Sequence, residues 1–188
     1  MFSSCCSLIS VGNISNWDTS KAQTMNGMFR YCYSLREFPA IEDWDYSEVT
    51  NMEYMFSECY SLERVIWRNI SLPVCTNIQT ILRYCYSLKY ADLSGWSTPV
   101  VSNSTNYYHT LGDCWALRDV IGFPIPVSYT KLSFANCEHL SHDSLLRILN
   151  TLPNTTAGHT LYLTSINLNS LTTEERLIAI NKNWTLAN

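Results

Sequence analysis

Apolar residues return along most of this chain at a regular beat. One eight-residue phrase occurs six times: MFSSCCSL from Met1, MFRYCYSL from Met28, MFSECYSL from Met55, ILRYCYSL from Ile81, TLGDCWAL from Thr110 and SFANCEHL from Ser133. Its anchors are Cys5, Cys32, Cys59, Cys85, Cys114 and Cys137, at steps of 27, 27, 26, 29 and 23 residues. A leucine follows each anchor by three: Leu8, Leu35, Leu62, Leu88, Leu117 and Leu140. Ahead of the phrase, Met25, Met28, Phe29 and Cys32 fall at i, i+3, i+4 and i+7, as do Met52, Met55, Phe56 and Cys59. Ile78, Ile81, Leu82 and Cys85 follow the same spacing. That spacing predicts a short helix with one apolar face.

Flanking positions agree with this unit. Thr24, Asn51, Asn77 and Asn106 stand eight residues before the anchor cysteine and are good helix N-cap types. After the phrase the period drops to two. Leu62, Val65 and Trp67, then Leu88, Ala91 and Leu93, predict a short strand with alternate residues inward. A Trp-centred turn closes the unit, as WDTS at Trp17, WDYS at Trp44 and GWST around Trp96, with Ile70 in the equivalent place of the unit between.

A unit of 23–29 residues with one helix and one strand fits the leucine-rich-repeat pattern. The expected fold is therefore α/β: a leucine-rich-repeat solenoid of about six repeats over residues 1–140, with a C-terminal capping segment over 141–188. A lone unit cannot bury its apolar face, and stacking would supply the core. In the capping segment, SHDSLLRILNTLP predicts an amphipathic helix stopped by Pro153. TLYLT, INL and WTLAN read as strand-like, and Thr172 with Glu175 forms a capping box at the start of a second helix. Met1 aligns with mid-unit Met28 and Met55, so an upstream chain or self-association is expected at an open N-terminal end.

Composition narrows the function classes. Charged residues are only 15% of the 188, against roughly 25% in an average soluble domain. Ser, Thr and Asn replace them, which suits an exported protein. The net charge is −4 and no Lys/Arg run occurs, so neither nucleic acid nor a polybasic membrane contact is expected. No apolar stretch is long enough for membrane insertion.

The phrase MFxxCxSL, the Trp-Asp-Thr-Ser turn and V-T-N-M together resemble the BspA-like leucine-rich repeats of bacterial surface proteins. WDTSKAQTMNGMF and WDYSEVTNMEYMF carry the resemblance most specifically, and it covers roughly Met1 to Leu140. Similar repeats occur in proteins of gut bacteria, protozoan parasites and some phages. The resemblance implies surface display and adhesion: an extracellular or cell-surface module binding a host or bacterial protein or glycan. The alternative is a structural or receptor-binding part of a phage tail or larger surface protein. The family has no catalytic motif to carry over.

Candidate chemistry is sparse. Six cysteines share one column, Cys75 shares that of Ala22 and Val49, and Cys6 lies off the pattern. Free thiols packed as small apolar residues are expected, with disulfides between stacked positions as the alternative. His139-x-x-His142 could place two imidazoles close together, but no third ligand matches them, and no metal or cofactor is expected. No P-loop, GxSxG or GxGxxG is present, so no enzyme is expected. Sequons stand at Asn13, Asn69, Asn103, Asn154 and Asn183. The candidate ligand-binding residues are two columns: Tyr33, Tyr60, Tyr86 and Trp115 just after the anchor cysteine, and Glu37, Arg64, Tyr90 and Asp119 two after the leucine. Aromatics and arginine are enriched where proteins bind partners. The competing reading is that the tyrosine rings stack on one another and stiffen the molecule.

Overall fold

The computed structural model describes residues 1–97, 109–123, 125, 130–156 and 158–188. Asn103 and Asn106 lie outside these. Six strands and three helices are described. β1 (Arg64–Ile66), β2 (Tyr90–Asp92) and β3 (Asp119–Ile121) form one parallel sheet in that order. A second parallel sheet holds β4 (Lys131–Ser133), β5 (His159–Tyr162) and β6 (Trp184–Ala187). The helices are α1 (His142–Thr151), α2 (Ser165–Ser170) and α3 (Thr173–Ile180).

This corrects the expected leucine-rich-repeat solenoid. Among the described residues the architecture is two small three-stranded parallel sheets and three short helices, with no closed or curled sheet. Among the described residues, none of the six phrases is helical; every helix lies between His142 and Ile180. The physical reason is backbone hand. The residue before each anchor cysteine is left-handed, with φ between 59° and 66° at Ser4, Tyr31, Glu58, Tyr84, Asp113 and Asn136. Gly27, Tyr54 and Thr80, five before their cysteines, are left-handed as well. Two such residues within five leave no run for i→i−4 bonding.

Linked β-turns take the place of the helix. Met28 N–H bonds to Met25 C=O at 3.2 Å, Arg30 to Gly27 at 3.1 Å, Cys32 to Phe29 at 3.2 Å and Leu35 to Cys32 at 3.0 Å. A chain that turns every three residues returns its apolar side chains to one face at i+3 and i+4. It therefore imitates helical spacing. The predicted caps follow the same logic. The side-chain oxygens of Thr24, Asn51 and Asn77 accept from the backbone N–H two residues on, at 2.8–3.2 Å, so they brace turns rather than helix ends.

The units bond to one another across their backbones. The N–H groups of Phe2, Phe29, Phe56 and Leu82 donate to the carbonyls of Met28, Met55, Ile81 and Thr110 at 2.8–3.1 Å. Single parallel bridges join Thr24 to Asn51 and Asn51 to Asn77. Inside, Met25, Met52 and Ile78, then Phe29, Phe56 and Leu82, lie in successive rows that are almost wholly buried. Phe2, Phe29 and Phe56 stack with centroids 5.3 and 4.9 Å apart.

The first sheet ends where α1 begins. Ser144 of α1 accepts from Val120 N–H at 3.0 Å, and Ser141 N–H donates to Arg118 C=O at 2.8 Å. The first turn of α1 thus occupies the open edge of β3, and β4 starts a separate sheet. The helices over SHDSLLRILNTLP and after Thr172 form as predicted, the latter with its capping box. TLYLT and WTLAN fall in β5 and β6. INL, read as strand-like, lies instead in α2, capped by the Thr164 side chain.

Cysteine suits its column for a specific reason. The Sγ–H groups of Cys32, Cys59, Cys85, Cys114 and Cys137 point to the carbonyls of Phe2, Phe29, Phe56, Leu82 and Leu111 at 3.1–3.3 Å. Each thiol fills a small apolar space and donates to a carbonyl of the preceding unit. All eight cysteines are free, and only Cys5 and Cys6 are exposed. Burial pushes the Cys32 thiol up to about 11 and those of Cys85 and Cys137 up to about 12.

Two outcomes follow at the thiols. A thiol reagent at neutral pH should modify Cys5 and Cys6 quickly and the other six only after denaturation. Unfolded thiols ionise near about pH 8.5, whereas the folded ones hold their protons. Their contribution to stability is full below that pH and is lost as pH rises toward the folded-state values of about 11–12. Thermal melts from pH 7 to 10.5 should show Tm falling above about pH 8.5, and a flat profile would contradict the buried-thiol assignment.

Candidate functional site

The column after the anchor cysteine forms one continuous stack. Tyr33 and Tyr60 rings lie 4.5 Å apart, Tyr60 and Tyr86 4.7 Å, and Tyr86 and Trp115 4.6 Å. Interplanar angles open from 10° to 20° to 29° along the row. The backbone sets the pitch. Ser61 N–H bonds to Tyr33 C=O, Ser87 to Tyr60 and Ala116 to Tyr86, at 3.1–3.2 Å, so each ring sits one hydrogen-bonded step from the last. Ser34 N–H bonds to Cys6 C=O in the same way. Cys6, off pattern in the sequence, is thus the first position of this column. The three tyrosines are half-buried by their neighbours, and Trp115 is 56% exposed.

A polar border runs beside the rings, supplied by the left-handed column that sequence reasoning passed over. Tyr31 and Tyr84 meet Tyr33 and Tyr86 edge-on, each at 6.1 Å. Glu58 accepts from the Tyr60 hydroxyl at 3.1 Å. Arg30 lies over both Tyr31 and Tyr54, at 4.4 and 4.2 Å, and Arg83 over Tyr84 at 4.3 Å. Asp113, almost wholly buried, accepts from Arg83 at 2.8 Å and from Asn136 at 2.6 Å. Its carboxylate therefore fixes two neighbours at once. Burial beneath the rings, and then the Glu58 carboxylate, push the Tyr60 phenol above its usual range, so it stays neutral. A signal for this border was present: Tyr31, Glu58, Tyr84 and Asp113 alternate aromatic with acidic at one position of the repeat.

The second predicted column is brought together only in part. Arg64, Tyr90 and Asp119 pair in register across β1, β2 and β3. Arg64 lies over the Tyr90 ring at 4.3 Å. Asp119 is committed internally: its carboxylate accepts from the Ser141 and Ser144 hydroxyls at 2.8 and 3.4 Å. Glu37 stands outside the sheet and accepts from Ser10 at 2.9 Å. Among the described residues no hydrogen bond or ring contact joins this column to the Tyr33–Trp115 stack.

The histidines separate. His142 bonds to Glu175 at 2.9 Å, and the His159 ring lies 4.9 Å from that of Trp184. His139 lines a surface cavity of about 430 Å³ with Trp115, Asn136 and Glu138. Among the described residues no group of three or more His, Cys, Asp or Glu is placed to hold a metal ion, and no helix is long and apolar enough to cross a membrane.

These features define a chain of repeated units carrying one bordered aromatic column on its surface. Residues 1–115 match the family described as Mycoplasma protein of unknown function, DUF285, and the chain belongs to that family. No curated protein and no solved structure matched it.

The stack has a measurable worth. Tyr60 touches a ring on each side, and each such pair contributes roughly 0.5–1.5 kcal/mol beyond burial. Tyr60→Ala is expected to cost about 2–3 kcal/mol in chemical denaturation, and Tyr60→Phe, which loses only the Glu58 bond, about 1 kcal/mol or less. Equal losses would show that the hydroxyl, not the stacking, matters.

Proposed function

We propose that this chain is a recognition module acting at an extracellular or cell surface, binding a protein or glycan of a host or bacterial cell through the Tyr33–Trp115 face. The observation that carries this reading is the unbroken four-ring stack ending on the exposed Trp115, with fixed charged and polar groups along its border. Rigid aromatic rings offer contact area at little cost in side-chain freedom, and arginines beside them supply directional hydrogen bonds. The phrase MFxxCxSL and the WDTS turn support it as well, through their resemblance to BspA-like surface repeats. The module works by binding and carries out no reaction of its own.

A second reading is a structural part of a phage tail or larger surface protein. It draws on the exposed apolar side chains of Met1, Ile9 and Trp17 in the first unit, which suit contact with another chain.

Flow cytometry with labelled protein on epithelial and bacterial cells, beside sedimentation of the protein alone, separates the two. Recognition predicts saturable binding that falls tenfold or more in Trp115→Ala and Tyr86→Ala proteins that retain their circular dichroism. Absence of cell binding, with concentration-dependent association of the protein itself, would leave the structural reading in its place.

A further inference from the structure

The aromatic column does not end like its other positions. Its order along the repeat is Cys6, Tyr33, Tyr60, Tyr86, Trp115 and Glu138. Tyr60 and Tyr86 each have a ring on both sides. Among the described residues Trp115 has the Tyr86 ring on one side only, and at the same position the next unit has a carboxylate, Glu138. The largest aromatic of the column is therefore also its most exposed, at 56%. The cavity of about 430 Å³ beside it is bounded by Trp115, Asn136, Glu138 and His139, a size within the range of small-molecule sites.

The polar side of this cavity is held in place. The Asn136 amide nitrogen donates to Asp113 at 2.6 Å, and Asp113 is fixed in turn by Arg83 at 2.8 Å. Asn136 also occupies a left-handed backbone position, φ 59°, shared by every unit. Its amide oxygen makes no hydrogen bond among the described residues.

Resting on the recognition reading, we propose that Trp115, Asn136, Glu138 and His139 form a subsite for one ring of a neutral saccharide. A pyranose has a face of C–H bonds with slight positive character, complementary to the negative face of an indole. Its hydroxyls project at the rim, where the Asn136 oxygen, the Glu138 carboxylate and the His139 imidazole can meet them. An apolar peptide side chain or an acyl chain would also cover Trp115, but it would desolvate three polar groups and leave them unpaired. The carboxylate of Glu138 disfavours an acidic sugar in the same space. Arg83, which holds Asp113 behind the cavity, is already engaged by Asp113 and Tyr84.

The test uses the full chain and its Trp115→Ala, Trp115→Phe and Glu138→Gln variants. Binding is read on cells with and without mild periodate, which cleaves vicinal diols, and by competition with soluble lactose, N-acetyllactosamine, chitotriose, maltohexaose and 3′-sialyllactose. The subsite predicts that periodate abolishes cell binding and that at least one neutral sugar competes. Trp115→Ala should weaken binding tenfold or more, Trp115→Phe by no more than about threefold because a ring face remains. Sialyllactose should compete at least tenfold less well than its neutral parent, and Glu138→Gln should narrow that gap. Cell binding that survives periodate yet still falls in Trp115→Ala would overturn the saccharide assignment while leaving recognition of a protein ligand in place. Cell binding unaffected by Trp115→Ala would overturn the subsite itself, and absence of any cell binding would remove both readings.

Discussion

The described residues before Ser141 are tied together by backbone hydrogen bonds between one unit and the next. A chain that turns every three residues cannot satisfy its own N–H and C=O groups as a helix does. They must find partners elsewhere or be buried unpaired, at a cost of about 1–3 kcal/mol each. Here the partner is the residue just before the equivalent position of the neighbouring unit, as in Phe29 N–H to Met55 C=O and Phe56 N–H to Ile81 C=O, both 2.8 Å. The anchor cysteine follows from the same constraint. Between the turns one carbonyl per unit faces inward, and a thiol is small enough to fit and polar enough to reach it. Serine there would be smaller and more costly to bury; alanine would remove the thiol donor and leave the Phe29 and Phe56 carbonyls with only their turn N–H partners, Cys32 and Cys59.

The same bonding produces the surface. Because Ser61 is tied to Tyr33 and Ser87 to Tyr60, ring planes that are distant in sequence arrive at a spacing near 4.6 Å, close to contact between flat aromatics. The left-handed residue before each cysteine places a second row alongside. Tyr31, Glu58, Tyr84 and Asp113 each spend backbone strain there, of order 1 kcal/mol apiece, which the inter-unit bonds sustain. A rigid aromatic column with a fixed polar border is thus a consequence of how the backbone is satisfied, and the recognition surface proposed for it requires no loop to order on binding.

What was legible in the sequence was position rather than element. The columns of Met25, Phe29, Cys32 and Leu35 were read as core, and they are buried in unit after unit. The stacking of Tyr33, Tyr60, Tyr86 and Trp115 was one of the two readings of that column. The element type was misread because i, i+3, i+4, i+7 spacing is produced equally by an amphipathic helix and by linked β-turns. Only the left-handed residues tell them apart, and Tyr31, Tyr54 and Glu58 are not residue types that announce such a conformation. α1 and α3 were legible because their caps, Ser141 and the Thr172–Glu175 box, are local chemistry. The border at the aromatic face was hidden for the opposite reason. Asp113 matters through Arg83, thirty residues earlier, and Asn136, twenty-three later, and no local pattern expresses such a link.

Amide hydrogen exchange resolved by residue tests the central claim most directly. If unit-to-unit backbone bonding holds the molecule together, the amides of Phe29, Tyr31, Phe56 and Glu58 should be protected to a similar degree, near the global stability, although none lies in a helix or strand. The amides of neighbouring residues without such bonds should exchange far faster. If Phe29 and Phe56 instead exchange as freely as surface turns while only the sheets and helices are protected, the units are not bonded to one another in solution, and the account of the fold and of its aromatic face is wrong.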